Sequence, residues 1–144
     1  MLTFDYNNQT QADFPEYLVE AAVKSAWEVE GLDVEKRVEI SILPDEEIQA
    51  LNLKTRGKNY IPDVLSFPMS EPTDNLPMLG EMYLSASKIY AQAREYGHSH
   101  SEEFLILCIH GMFHLLGYDH IDDDDWEIMK SKEAHALELA KKLV

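Results

Sequence analysis

Residues 110–120 read His110-Gly111-Met112-Phe113-His114-Leu115-Leu116-Gly117-Tyr118-Asp119-His120. The run that leads into them, Phe104 to Ile109, is apolar without a break, so the segment reads as a buried helix. His110 and His114 are four apart on it, and both rings leave the same face. That is the spacing at which two imidazoles can share one metal ion. Gly117 marks the expected end of the helix, because glycine takes the left-handed conformation of a C-terminal cap without penalty. Three residues further on, His120 can return to the same ion.

The pattern H-x-x-x-H-x-x-G-x-x-H is the ligand spacing of the metzincin zinc proteases, which makes this a zincin-like metal helix. Three neutral imidazoles suit one Zn²⁺ per chain, and three protein ligands leave a fourth tetrahedral position open, as catalytic sites require. One departure counts against peptide hydrolysis. The zinc proteases place a glutamate after the first histidine as general base; here that position is Gly111. A base from elsewhere, Asp63, Glu81 or Asp119, is compatible with the sequence, and Asp119 could instead orient a ligand histidine. Cys108, two residues before His110, points away from the histidine face and reads as packing. His98, His100 and His135 read as hydrogen-bonded core histidines.

On either side of this helix, alternation and helical spacing divide the chain. Residues 2–7 and 37–43 alternate apolar and polar and read as strands. Residues 14–30 have helical spacing, with Asp13 as expected N-cap and Gly31 as stop. Pro44 and Asp45 open a helix carrying Ile48, Leu51 and Leu53 on one side. Residues 63–68 and 80–85 read as strands, and the proline-bearing 69–78 as a loop. Ser85 caps a helix over about 86–96 that Gly97 ends, and Ser101 is the expected cap of the histidine helix. A last helix over about 123–142 carries Trp126, Met129, Leu137 and Leu139. The run Asp122–Asp125 lacks the spaced ligands and glycine of a calcium loop and reads as a solvated helix start. The expected fold is α+β: a small mixed four-stranded sheet packed with about five helices, in a single domain over 1–144.

Composition narrows the classes. At 144 residues the chain is the size of one domain and long enough to bury a core. One cysteine excludes an internal disulfide. No stretch is apolar enough to span a bilayer, and the first residues do not read as a signal peptide, so a cytoplasmic location without membrane attachment is expected. A net charge of −15 argues against broad nucleic-acid binding. The charge is uneven, however. Residues 1–50 hold twelve acidic and three basic side chains, and residues 101–144 hold ten and four, whereas residues 51–100 balance at five and five. Lys54, Arg56 and Lys58 cluster in that middle segment.

These residues resemble a known family, the YbeY-type bacterial endoribonucleases. The resemblance rests on His110–His120, on Leu51-Asn52 followed by Arg56, on Asp63-Val-Leu-Ser-Phe-Pro68, and on Leu79-Gly80-Glu81, and covers roughly residues 37–122. Phe113, Pro62, Thr55 and Glu81 stand where the family usually has leucine, threonine, tyrosine and aspartate. The resemblance implies a mixed sheet with helices around it, one zinc at His110, His114 and His120, and cleavage of single-stranded RNA rather than DNA. It further implies a role in 16S rRNA 3′-end maturation and ribosome quality control, with the small ribosomal subunit and its proteins as partners. Arg56 matches the arginine kept near the metal cleft, where its planar fork of donors suits a phosphate. Lys54 and Lys58 read as surface charges, and Tyr60, Phe67 and Tyr83 as packing aromatics before base-stacking ones. Two other functions are compatible with the residues: a zinc peptidase-like hydrolase, and a non-enzymatic ribosome-assembly factor whose zinc is structural.

Overall fold

The structure, a computed structural model, describes residues 1–119 and 123–144. Its elements follow in the order β1 (Leu2–Asn8), α1 (Glu16–Glu30), β2 (Lys36–Leu43), α2 (Asp45–Arg56), β3 (Val64–Pro68), β4 (Met78–Ser85), α3 (Ala86–Tyr96), α4 (His100–Leu115) and α5 (Asp123–Leu143). The strands form one sheet in the order β1-β2-β4-β3, with β1, β2 and β4 parallel and β3 antiparallel at the edge. The expected α+β architecture is therefore observed, with β4 starting two residues before its expected limit.

Alternation along the strands sorts side chains between two layers. Val38, Ile40 and Ile42 of β2 with Met82 and Leu84 of β4 face α1 and α4 in the main core. On the other face Leu65 packs with Leu43 and Ile48, and Phe67 and Tyr83 lean on them under α2. Phe67 and Tyr83 meet edge-on at 5.9 Å, so both are packing residues. From Glu103 to Leu116 every residue of α4 is buried except Ile106, His110 and His114. A helix apolar on almost all sides belongs in the middle of a domain, and its one open stripe carries the two histidines.

Several local expectations need correction. The cap of α1 is Pro15, without a side-chain hydrogen bond, and not Asp13. The cap of α4 is Ser99, whose hydroxyl accepts from the Glu102 N–H, so the helix starts earlier than a Ser101 cap would allow; Gly97, at φ +72, ends α3 and leaves only two residues of connection. Leu53 is 49 % exposed while Ile48 is buried, because five residues along a helix turn a side chain about 140° away. On α5 the buried positions are Met129, Ala136 and Ala140, not Trp126. His135 and His100 are exposed, and His98 pairs with Glu102 at 2.8 Å, so none of the three is a core histidine. Cys108 is buried, and burial pushes its thiol up to about 12, in line with packing.

The 69–77 connection is held by one side chain. Lys36 is 3 % exposed. Its Nζ donates to Ser70 Oγ (3.0 Å), the Glu71 carbonyl (3.0 Å), Asp74 Oδ1 (2.7 Å) and the Leu76 carbonyl (2.7 Å). A lysine is buried only when its protons are all placed, and here they are.

Candidate metal centre and cleft

Helix α4 lies close on the sheet because two positions have no side chain. A Cβ on Gly80 would stand 2.6 Å from the Phe67 carbonyl and 2.7 Å from Leu115 Cδ2. A Cβ on Gly111 would stand 2.8 Å from both Met82 Cε and Sδ, and 3.1 Å from Ser66 Oγ. Gly111 therefore faces the sheet. A glutamate in its place, the protease arrangement, would be driven into Met82 and Ser66 and not into the cleft. The missing base is a consequence of how closely the helix must sit.

That close seating brings the histidine stripe beside β3. Together they border a cleft of about 550 Å³, lined among others by Arg56, Asp63, Ser66, His110, His114 and Asp119. Arg56 reaches it as the last residue of α2 and is exposed. The expected base candidates separate here. Asp63 and Asp119 line the cleft, with Asp63 held by the Val64 N–H at 2.7 Å and the Gln92 amide at 3.2 Å. Glu81 does not line it. Its carboxylate accepts from the Tyr83 hydroxyl at 2.5 Å on the opposite sheet face, and the Tyr83 phenol is pushed up to about 12, first by burial and then by that carboxylate. Lys54, Lys58 and Tyr60 are exposed and outside the cleft lining.

The two imidazoles are fixed at their inner nitrogens. His110 Nδ1 lies 3.1 Å from Glu133 Oε2, and His114 Nδ1 lies 3.0 Å from the Tyr118 carbonyl. A carboxylate and a carbonyl only accept, so each Nδ1 carries a proton, and metal binding would fall to the Nε2 side of each ring. The two Nε2 atoms stand 3.0 Å apart. Two ring nitrogens at that distance share a proton or a cation. Two nitrogens on one tetrahedral Zn²⁺, each about 2.0–2.1 Å from it, stand about 3.3 Å apart, within a few tenths of an ångström of the observed separation. The donor set therefore fits the ion. Among the described residues no third His, Cys, Asp or Glu completes the group. The third expected ligand, His120, lies outside the described residues, as does Asp122. Gly117, at φ +99, makes the turn that leads toward it.

The orienting carboxylate, Glu133, was not identified from sequence; Asp119 was the candidate for that part. One signal was available. Met129, Ala136 and Ala140 form the buried stripe of α5, and Glu133 interrupts it at helical spacing. A carboxylate in an apolar stripe needs a partner.

The profile of one family, described as Endoribonuclease YbeY, matches residues 4–141. The chain belongs to the YbeY family. The match takes in α5 and Glu133, beyond the 37–122 over which the motifs were recognised. Among YbeY relatives, Endoribonuclease YbeY of Alkaliphilus metalliredigens is 39% identical over 139 residues, covering 91% of this chain and 90% of the relative. Endoribonuclease YbeY of Bacillus velezensis is 37% identical over 143 residues, covering 93% and 90%. The solution structure of TM1509 from Thermotoga maritima superposes with a TM-score of 0.67 at 27% identity, covering 97% of this chain and 89% of that one. No helix of the described residues is long and apolar enough to cross a membrane.

Proposed function

We propose that this chain is a zinc-dependent, single-strand-specific endoribonuclease of one catalytic domain, acting in the cytoplasm on the 3′ region of 16S rRNA in ribosome maturation and quality control. Hydrolysis of RNA phosphodiester bonds follows from membership of the YbeY family. The observation that carries the finer reading is the convergence of His110 and His114, their Nε2 atoms 3.0 Å apart, on the wall of the cleft that Arg56 also lines. His110, His114 and His120 are the residues that would hold the metal. Bound there, Zn²⁺ supplies a Lewis acid beside the scissile phosphate and lowers the pKa of water to about 7.

The chain's own residues do the rest. The Arg56 guanidinium binds a phosphate through two parallel N–H donors, and its charge favours a transition state more negative than the ground state. Asp63 and Asp119 are proton acceptors on the cleft wall. A cleft of about 550 Å³ is of a size to receive an unpaired nucleotide, in keeping with single-strand specificity. With a net charge of −15, the surface repels phosphate at long range, so the small ribosomal subunit and its proteins supply much of the affinity. The packing of Gly111 against Met82 and Ser66 counts against a peptidase.

The test is cleavage of a single-stranded rRNA 3′ fragment by zinc-loaded protein, by chelator-stripped protein and by His114→Ala. Loss of cleavage in both controls, with an unchanged circular dichroism spectrum, is the expected result. Equal cleavage by all three would refute the metal-dependent reading.

A further inference from the structure

Two consecutive residues of α5 reach the two histidines by separate routes. Glu133, 23 residues away in sequence, accepts from His110 Nδ1 at 3.1 Å. Lys132 acts from further out, through Glu30 and Tyr118. Its Nζ donates to Glu30 Oε1 at 2.8 Å, and the same oxygen accepts from the Tyr118 hydroxyl at 2.8 Å. Lys132 Nζ also lies 5.3 Å from the Tyr118 ring centroid, within cation–π range. Tyr118 is thus held at its ring from α1 and α5. Its backbone is held as well, by an N–H bond to the Phe113 carbonyl at 3.0 Å. The carbonyl fixed in this way is the acceptor for His114 Nδ1.

We infer that Lys132 and Glu133 are positioning residues that together set the Nδ1–H tautomer and ring orientation of His110 and His114, so that α5 prepares the two nitrogens for the ion before it binds. The inference rests on the metal reading above. Glu133 fixes its histidine directly. Lys132 fixes the other through Glu30 and Tyr118. Partners of this kind hold a ligand ring in one orientation and raise its basicity, and their loss typically costs about 10–100-fold in metal affinity.

The readout is zinc affinity, measured by competition with a chromophoric chelator, with Co²⁺ absorption as a second signature of ligand geometry. Glu133→Leu continues the apolar stripe of α5 and removes the acceptor; a loss of about 10–100-fold in affinity is expected. Glu133→Gln keeps an acceptor oxygen and is expected to recover part of the loss. Lys132→Met is expected to weaken binding by less than Glu133→Leu. Thermal unfolding of the metal-free forms reports any purely structural effect. If Glu133→Leu binds zinc as the parent does, the positioning role is wrong. If Glu133→Leu and Glu133→Gln lose affinity equally and only in proportion to stability, it is also wrong. His110→Ala and His114→Ala separate the two levels: if these also bind zinc like the parent, it is the metal reading itself that fails.

Discussion

Lys36 and the His110–His114 pair are both polar groups set into apolar surroundings, and they are resolved in opposite ways. Around Lys36 every proton has an acceptor, one ammonium tying together four groups of the 69–77 connection. Around the histidines the inner nitrogens are held by fixed acceptors, and the outer nitrogens converge at 3.0 Å. A saturated cluster stabilises the fold and has nothing left to offer a ligand. A cluster of imidazole nitrogens converging on one point of a cleft can take up a cation from outside. The first arrangement reads as architecture and the second as function.

Substitutions should therefore separate stability from activity. The largest effect is expected for His114→Ala: ribonuclease activity falls by at least about 1000-fold, or roughly 4 kcal/mol in the barrier, while urea unfolding of the metal-free protein shifts by less than about 1 kcal/mol. A stability loss matching the activity loss would erase the contrast. Lys36→Met should do the reverse. It leaves the Glu71 and Leu76 carbonyls without their ammonium donor, while Asp74 keeps the Glu71 and Leu76 N–H bonds, and the unfolding free energy is expected to drop by about 3 kcal/mol, with activity per folded molecule unchanged. Arg56→Ala should cost about 100-fold in kcat, by analogy with removal of one oxyanion donor, with Arg56→Lys recovering only part because a point charge lacks the fork. Arg56 is exposed, so its removal leaves stability within about 0.5 kcal/mol.

The smallest effect sharpens the comparison with a third case. Glu103 is 2 % exposed, and among the described residues its Oε1 has no hydrogen-bond partner. Burial raises its pKa above the usual 4.5; Asp63 and Glu102 add to the rise, while His98 opposes it. The folded state then holds the proton more tightly than the unfolded chain does. The stabilisation is complete below the unfolded value and is lost as pH rises through the raised folded one. Glu103→Gln avoids that loss. It is expected to stabilise the protein by about 1 kcal/mol at pH 7, and the gain should vanish below about pH 4. A gain independent of pH, measured by denaturant titration at both, would contradict the burial argument.

Much of the fold was legible because it depends on short-range pattern. Alternation in 37–43 places Val38, Ile40 and Ile42 in the core, and the Ser85 and Gly97 signals bound α3 where expected. Caps were less legible. Ser99 and Ser101 are equally good cap residues in isolation, and the choice between them depends on where α3 ends. In the site, the shared face of His110 and His114 follows from their spacing of four. Which acidic residues join them does not, since Asp63, Glu81 and Asp119 are alike in chemistry and differ only in the sheet face or turn that carries them.

The helix, its two histidines on one face and the turn at Gly117 were legible in the sequence because each rests on residues within about ten positions of one another, and the family because its motifs, spread over residues 37–122, are each short. Only the tertiary structure decided that Gly111 is a contact with Met82 and Ser66, that Glu81 belongs to the far face of the sheet, and that α5 supplies Glu133 to His110. Those three depend on how closely α4 seats on the sheet and how α5 seats on α1 and α4. Such packing is a sum over many weak contacts between distant segments, and no local pattern encodes it.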